Sequence, residues 1–506
     1  MEQTYYLGID IGTYSSKGVL VDTYGEIIAQ HSIAHELSVP HEGFAEHDAM
    51  QVWWGEFQAI CRELISLSGI DAEQIKAVGH SAMSPCLVCA DEQGKPLHAA
   101  ILYGIDTRAS EQQQQMYQLL GQDNIYQLSG GLLSSQSVVP KMLWVKQHMP
   151  KVWNQTHYLF SASGFITYQL TNHYCLDCYD AIAYSGIYNC HSNSWDLDSC
   201  QRLGINKPLP QLHWATEIVG KVTEDAARAT GLKVGTPVLT GCADAGAEAL
   251  SAGVMANGDT MLMYGSSTFF ITRTPYRISS PIFWSNCFLE PDTYVVTGGT
   301  ATCGSLLTWY LNQFGSQAKL DSKLHHTNPH AELMKKFEHS APGANGLICL
   351  PYFSGERTPI LDSDAKGMLF GLTLGHTDAD IYRSVVEGIA MSITHNIRAL
   401  GLECEVKRLL AVGGGVNNHH LLQSVSDFAQ VEQSVSDRSV GASYGNCMMA
   451  AVCCGQFECL DEAVSHWVKF EQNFKANPPL VELERNYEIY LHLYQANREL
   501  MHGLSS

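Results

Sequence analysis

Residues 5–30, YYLGIDIGTYSSKGVLVDTYGEIIAQ, decide the fold. Their apolar runs are interrupted at Gly12-Thr13 and again around Tyr24-Gly25, a pattern of strand, turn, strand, turn, strand that predicts an antiparallel meander. A Rossmann or P-loop site needs its Gly-rich turn to run into a helix; here the turn runs into another strand, which disfavours dinucleotide binding. Further on, QVWWGEFQAICRELISLSG (51–69) has helical apolar spacing, IKAVGHSAM (75–83) reads as a strand, and LVCADEQGKPL (87–97) reads as a hairpin on its Gly turn. The first domain is predicted to be mixed α/β.

The opening device recurs. After the small, Gly-rich run VLTGCADAGAEALSAGV (238–254), DTMLMYGSSTFFITRT (259–274) repeats a Gly-Ser hairpin turn behind an apolar strand. Two halves of related architecture, facing one another, are expected. A third Gly-rich turn, in LLAVGGGVNNHHLLQSVSDFA (409–429), reads as strand, turn, amphipathic helix. The tail after Gly455 reads as helical, a surface cap. A chain of 506 residues exceeds what one core usually supports, and this too argues for two domains with a ligand cleft between them.

Composition narrows the partners. With 51 Asp+Glu against 30 Lys+Arg the formal charge is −21, which repels nucleic acid and anionic membrane surfaces. A nucleotide is still admissible, because backbone N–H groups and a divalent cation supply local positive potential. No apolar run is long enough to span a bilayer and MEQTYYLGID does not read as a signal peptide, so a cytoplasmic protein is expected. Two CxxC spacings, Cys86/Cys89 and Cys175/Cys178, admit a four-thiolate zinc site, but residues i and i+3 of a strand point to opposite faces and the thiols read better as buried and reduced.

A Gly-Thr or Gly-Ser hairpin lets backbone N–H groups and hydroxyls converge on phosphate oxygens where a Cβ would block the approach. Two facing hairpins, Gly12-Thr13 and Gly265-Ser266, suit a triphosphate; Asp10, at the end of the first strand, suits Mg²⁺, and Lys17 adds a point charge. Either turn alone reads as an ordinary β-turn; the combination points to a ligand. Asp244, among residues too small to form a core, is a candidate acceptor for a hydroxyl proton, or a helix N-cap, or both.

These residues resemble the FGGY carbohydrate kinases, a family with the two-domain, actin-like (ribonuclease H-like) α/β ATPase fold, along almost the whole chain. GIDIGTYSSKGVLVD (8–22) is similar to the family's first phosphate motif, GFAEHDAMQVWW (43–54) to its acidic-then-Trp segment, and GCADAGAEALSAG (241–253) to the segment carrying its catalytic aspartate. The run from Leu350 to Ala390 resembles its C-terminal signature, from Gly367 through Gly371, Leu372, Asp380, Ile381 and Ser384 to Glu387. The resemblance implies domains at 1–252 (sugar and phosphate side) and 253–506 (nucleotide side), a catalytic cleft between them, and a hinge near Ala252-Gly253. It implies Asp244 as the catalytic base, Asp10 as the Mg²⁺ residue, and Gly12, Thr13, Ser15, Lys17, Gly265, Ser266, Gly304, Thr308, Gly414 and Asn418 around ATP. Ser266 stands where Thr is usual.

Sugar recognition departs from the family. Xylulose kinases typically carry Met-His where this chain has Met83-Ser84, and Trp-Asn where it has Tyr103-Gly104, although Asp106 and Arg108 of their Asp-x-Arg element remain. In QSVVPKMLWVKQH (136–148) Lys141, Trp144 and Gln147 fit the N-terminal signature while Gln136 and Val138 do not. The implied activity is ATP-dependent phosphorylation of a small sugar, a ketopentose such as D-xylulose before gluconate, ribulose or another polyol, with Met83, Ser84, Asp106, Arg108 and Asp244 on the sugar. ATP, Mg²⁺ and the sugar are the implied ligands, neither nucleic acid nor membrane is a partner, and a homodimer is left open.

Overall fold

The computed structural model describes residues 3–436 and 441–505. The predicted meander is present: β1 (Tyr5–Ile11), β2 (Ser15–Asp22) and β3 (Ile27–Ala34) pair antiparallel. Helix α1 (Gly55–Ser68) follows a single π-helical turn capped by Asp48 and buries Phe57, Ile60, Cys61 and Leu64, the spacing of one helix face. It crosses over to β4 (Ile75–Ala82), which lies parallel to β1. Strands β5 (Ile218–Lys221) and β6 (Pro237–Leu239) complete the order β5-β6-β4-β1-β2-β3.

The second sheet is built from β7 (Asp259–Tyr264), β8 (Thr268–Thr274), β9 (Trp284–Cys287), β10 (Tyr294–Gly298), β11 (Arg408–Val412), β12 (Gln433–Ser436) and β13 (Phe470–Phe474), in the order β9-β10-β8-β7-β11-β12-β13. Outward from β1 and from β7 the pattern is the same. Two antiparallel strands lie on one side, with β9 added as a third in the second sheet; two parallel strands and then an antiparallel one lie on the other. The duplication is the one expected from the two hairpins, and the α/β arrangement is the actin-like one implied by the family resemblance.

Helices α2 (Asp244–Ala252), α3 (Gly304–Phe314), α4 (Asp378–Leu400), α5 (His419–Ala429), α6 (Ala442–Cys453) and α7 (Val481–Gly503) follow in chain order. Between the two sheets run α2 and α6. Their small side chains form one buried cluster with Tyr6 and Val19 of the first sheet and Met261, Ile271 and Leu410 of the second. The approach is backbone to backbone: a Cβ on Gly8 would lie 1.9 Å from the Ser443 carbonyl oxygen, one on Gly79 2.2 Å from that of Asn446, and one on Gly445 2.0 Å from that of Ala247. No side chain fits at those crossings.

Two expectations change. The tail is not a surface cap, because β13 is the edge strand of the second sheet and α7 buries Leu483, Tyr487, Tyr490, Leu493 and Tyr494 in its core. Those residues repeat every three or four positions, so one face of α7 is apolar enough to be buried. The segment 87–97 keeps its turn, closed from Asp91 N–H to the Lys95 carbonyl at 3.0 Å, but Val88–Ala90 pairs with Tyr158–Phe160 rather than along a full hairpin. Cys86 and Cys89 fall in different buried clusters, as alternation along a strand requires.

Candidate active site

The first glycine turn is closed from Gly12 N–H to the Ser15 carbonyl at 3.1 Å, and a Cβ on Gly12 would meet that oxygen at 2.8 Å. Thr13 Oγ1 lies 3.0 Å from the Tyr103 hydroxyl, and Lys17 faces Asp10 across the β1–β2 register with its ammonium exposed. On the second half Gly265, Ser266 and Gly304 come together. Gly304 N–H donates to the Gly265 carbonyl at 3.0 Å and Cys303 N–H to that of Ser266 at 2.8 Å, so the turn sits on the N-terminus of α3 with Thr308 one turn further along. The adjoining Gly413–Gly415 turn presses on Tyr264, the residue before Gly265, and Gly414 at its tip has open space around it. Asn418 is the N-cap of α5, its side-chain oxygen accepting from Leu421 N–H at 3.1 Å.

Three carboxylates, Asp10, Asp244 and Glu248, lie within one another's electrostatic reach around the end of β1 and the first turn of α2. Asp10 accepts a hydrogen bond from Ser81 Oγ at 2.8 Å, and burial pushes its carboxyl up to about 6 against the pull of Ser81 and Lys17. Asp244, the first residue of α2, accepts from Ala245 N–H at 2.8 Å; burial, then the charges of Asp10 and Glu248, hold its carboxyl well above the usual carboxylate range. Glu248, one helical turn on, is pushed up to about 7 by burial and by Asp10, with Lys17 pulling the other way. Two of these acids were legible separately; the third was signalled by its i, i+4 spacing from Asp244 and was not read. The donor set is all oxygen, which suits a hard divalent ion. Among the described residues no group of three or more His, Cys, Asp or Glu side chains converges on a point.

The sugar-side residues are placed differently from expectation. Met83 packs in the first-half core with its N–H on the Ile11 carbonyl at 2.8 Å. Ser84 Oγ donates to Asp180, a residue sequence reasoning missed. Asp106 is fully buried, accepts from Ala45 N–H at 2.8 Å, and is locked to Arg108, whose Nη2 reaches Asp106 at 2.6 Å and Glu46 at 2.8 Å. The Arg108 guanidinium also lies 3.9 Å from the centre of the Phe44 ring. Asp106 and Arg108 therefore brace the loop that carries Tyr103, bonded to one another and to Ala45 and Glu46. The two misfits in that neighbourhood are explained together: Gln136 accepts from Gly104 N–H at 3.0 Å, and its amide nitrogen stands 2.5 Å from where a Cβ on residue 104 would be.

Asn446 is the other residue that sequence reading missed. Buried on α6, it donates to the Ile9 carbonyl at 2.9 Å and to Ser81 Oγ at 2.8 Å, and Ser81 in turn donates to Asp10. A lone amide in the apolar run ASYGNCMMAAVC was its only signal. Replacing Asn446 by Leu leaves Ser81 free to turn away. Turnover at saturating substrates is expected to fall by roughly tenfold to a hundredfold, with a higher Mg²⁺ requirement, since a misplaced ion-binding group costs about that much. A metal titration of the variant that overlays the parent would remove Asn446 from the site.

Comparison with known proteins agrees with this geometry. The profile of the FGGY family of carbohydrate kinases, N-terminal domain, matches residues 5–251, and that of its C-terminal domain matches residues 260–454. A xylulose kinase of Staphylococcus epidermidis is 29% identical over 99% of this chain and 98% of its own length. A gluconokinase of Bacillus subtilis is 26% identical over 92% of this chain and 90% of its own. Among solved structures, the crystal structure of xylulose kinase from Rhodospirillum rubrum superposes with a TM-score of 0.89 at 27% identity, covering 99% of this chain and all of that one. The chain belongs to the FGGY family of carbohydrate kinases, and is by that membership an ATP-dependent sugar kinase.

Proposed function

We propose that this kinase transfers the γ-phosphoryl group of ATP to the terminal hydroxyl of a ketopentose, D-xylulose before others. The observation that carries the reading is the position of Asp244, a carboxyl partly open to solvent at the first turn of α2, whose proton affinity is raised by burial and by Asp10 and Glu248. The hydroxyl oxygen attacks the γ-phosphorus, the bond to the β–γ bridging oxygen breaks, ADP leaves, and the hydroxyl proton passes to Asp244. Asp10 would hold Mg²⁺, which supplies charge against the phosphates. The Gly12-Thr13 and Gly265-Ser266 turns, with Ser15, Lys17, Gly304 and Thr308, receive the triphosphate; Gly414 and Asn418 receive the adenosine. The halves meet near Ala252-Gly253, and the reaction takes place in the cytoplasm.

The choice of D-xylulose is supported by the printed names of the relatives, and gluconate by one of them. A coupled ADP-release assay across ketopentoses, ketohexoses, polyols and aldonates, with a no-sugar control, tests it. Sugar-dependent release highest with D-xylulose is expected; a higher kcat/KM for another acceptor replaces the substrate, and ATP binding without release for any of them argues for a sensor on the same fold.

A further inference from the structure

Cys242-Ala243 runs parallel to the end of β4, with Ala243 opposite Ala82, which sets Asp244 beside Met83-Ser84; Ser84 is bonded to Asp180, on the one-turn helix Cys178–Ala181, whose charge also acts on Asp244. Asp177 caps that helix, accepting from Asp180 N–H at 3.1 Å, and its second carboxylate oxygen is buried without a partner. Tyr103, held by Thr13, lies within the field of Asp244 as well. We propose that this acceptor site selects an uncharged polyol or ketose and excludes a sugar acid, and that Asp180, acting through Ser84, is the residue that sets this selection. The proposal rests on the kinase reading above.

The polarity of one hydrogen bond supports it. A serine hydroxyl has one proton, and Ser84 gives its proton to Asp180, so the Ser84 oxygen presents lone pairs only. Ser84 and Asp180 together offer acceptor oxygens at this point of the acceptor site. It is complemented by hydroxyl groups, which bring protons, and not by a carboxylate, which brings none and adds a negative charge. Burial raises the Asp180 carboxyl to about 6, while hydrogen bonds from Ser84 and Ser161 favour its charged form.

Two cations of this half are held away from the acceptor, and two others stand with the phosphate-side carboxylates or on the opposite half. Lys141 is buried and donates to the carbonyl oxygens of Leu102 at 2.5 Å and Tyr103 at 2.8 Å. Arg108 is held by Asp106 and Glu46. Lys17 lies across from Asp10, and Arg357 follows Glu356, which binds Ala301 N–H on the opposite half. Neither among the influences on Asp180 nor among the main ones on Asp244 is there a cation. A carboxylate placed about 6 Å from one such charge, at an effective dielectric constant of about 20, is disfavoured roughly a hundredfold.

The test pairs turnover with direct binding. For the wild-type enzyme, kcat/KM for D-xylulose, D-ribulose and xylitol is compared with that for D-gluconate, and calorimetry measures the affinity of the same compounds. At least one neutral compound is expected to be used and bound about a hundredfold better than gluconate. Asp180→Asn keeps an acceptor for Ser84 and removes the charge; it should narrow that ratio about tenfold or more, through gluconate KM and not kcat. Ser84→Lys, at a half-buried position, brings a cation beside Asp180 and should raise gluconate affinity even if Asp180→Asn does not fold. Gluconate bound or used as well as the best neutral compound overturns the proposal, as does an unchanged ratio in both variants. Neutral compounds bound and gluconate not, without ADP release, leave the selection standing and remove the kinase assignment of substrate.

Discussion

Asp244→Asn is expected to lower sugar-dependent kcat by about a thousandfold while the affinity for ATP changes by less than about threefold, the span ascribed to loss of a positioned base. The amide preserves the size of the side chain and an acceptor for Ala245 N–H, so the first turn of α2 keeps its form. What it loses is the site for the hydroxyl proton. Removal of a charge that repels Asp10 does not weaken a divalent ion held there, and calorimetry with Mg²⁺-ATP separates the two effects. Retention of most of the turnover would take Asp244 out of the mechanism. Its titration gives a second handle. Asp244 acts as a base only when ionised, so the rate falls as pH drops through its pKa; burial and its neighbours place that limb of kcat/KM above the ordinary Asp range near 4. Glu248→Gln removes one repelling charge, so the limb should move to lower pH. A limb that stays in place or moves up contradicts the coupling.

Gly8→Ala is expected to destabilise the protein by about 3 kcal/mol or more, at the upper end of what overpacking costs. Its methyl would stand 1.9 Å from a carbonyl oxygen of α6 and 2.7 Å from the Cys447 sulfur. Backbone cannot step aside as the end of a flexible chain does, so α6 must lift from the sheet and the cluster between the sheets opens with it. Gly503→Ala, with nothing within 4 Å of the new methyl, is the control. Urea unfolding of both variants checks the difference; equal midpoints would mean that α6 rides further from β1 than described.

The duplicated sheets could be read from residues 5–30 and 259–274 because local periodicity and turn glycines settle such elements before any long-range contact forms. Asp10 and Asp244 were legible for the same reason, each standing beside a glycine turn or a run of small residues. Glu248, Asp180, Ser81 and Asn446 were not read as part of the site. Asn446 follows Ser81 by 365 positions and Asp180 follows Ser84 by 96, and no local pattern announces a hydrogen bond across such a distance. The same limit explains Asp106 and Arg108: two residues apart, they look like a ligand-facing pair, and only the fold shows Glu46, Ala45 and Phe44 closing around them. The tail was misjudged because the strand FEQNF has little apolar content of its own and gains its place from β12.

Where two helices cross a sheet with interlocked side chains, sliding one across another means lifting each ridge over the next. At the Gly8, Gly79 and Gly445 crossings there are no ridges. Main chain rests on main chain, and the joint between the halves works as a plain bearing, whose track is the line of glycines on β1, β4 and α6. Gly253, in the left-handed conformation at the end of α2, lies beside it. Halves joined this way have no side-chain ridge between them that one would have to lift to slide along the other.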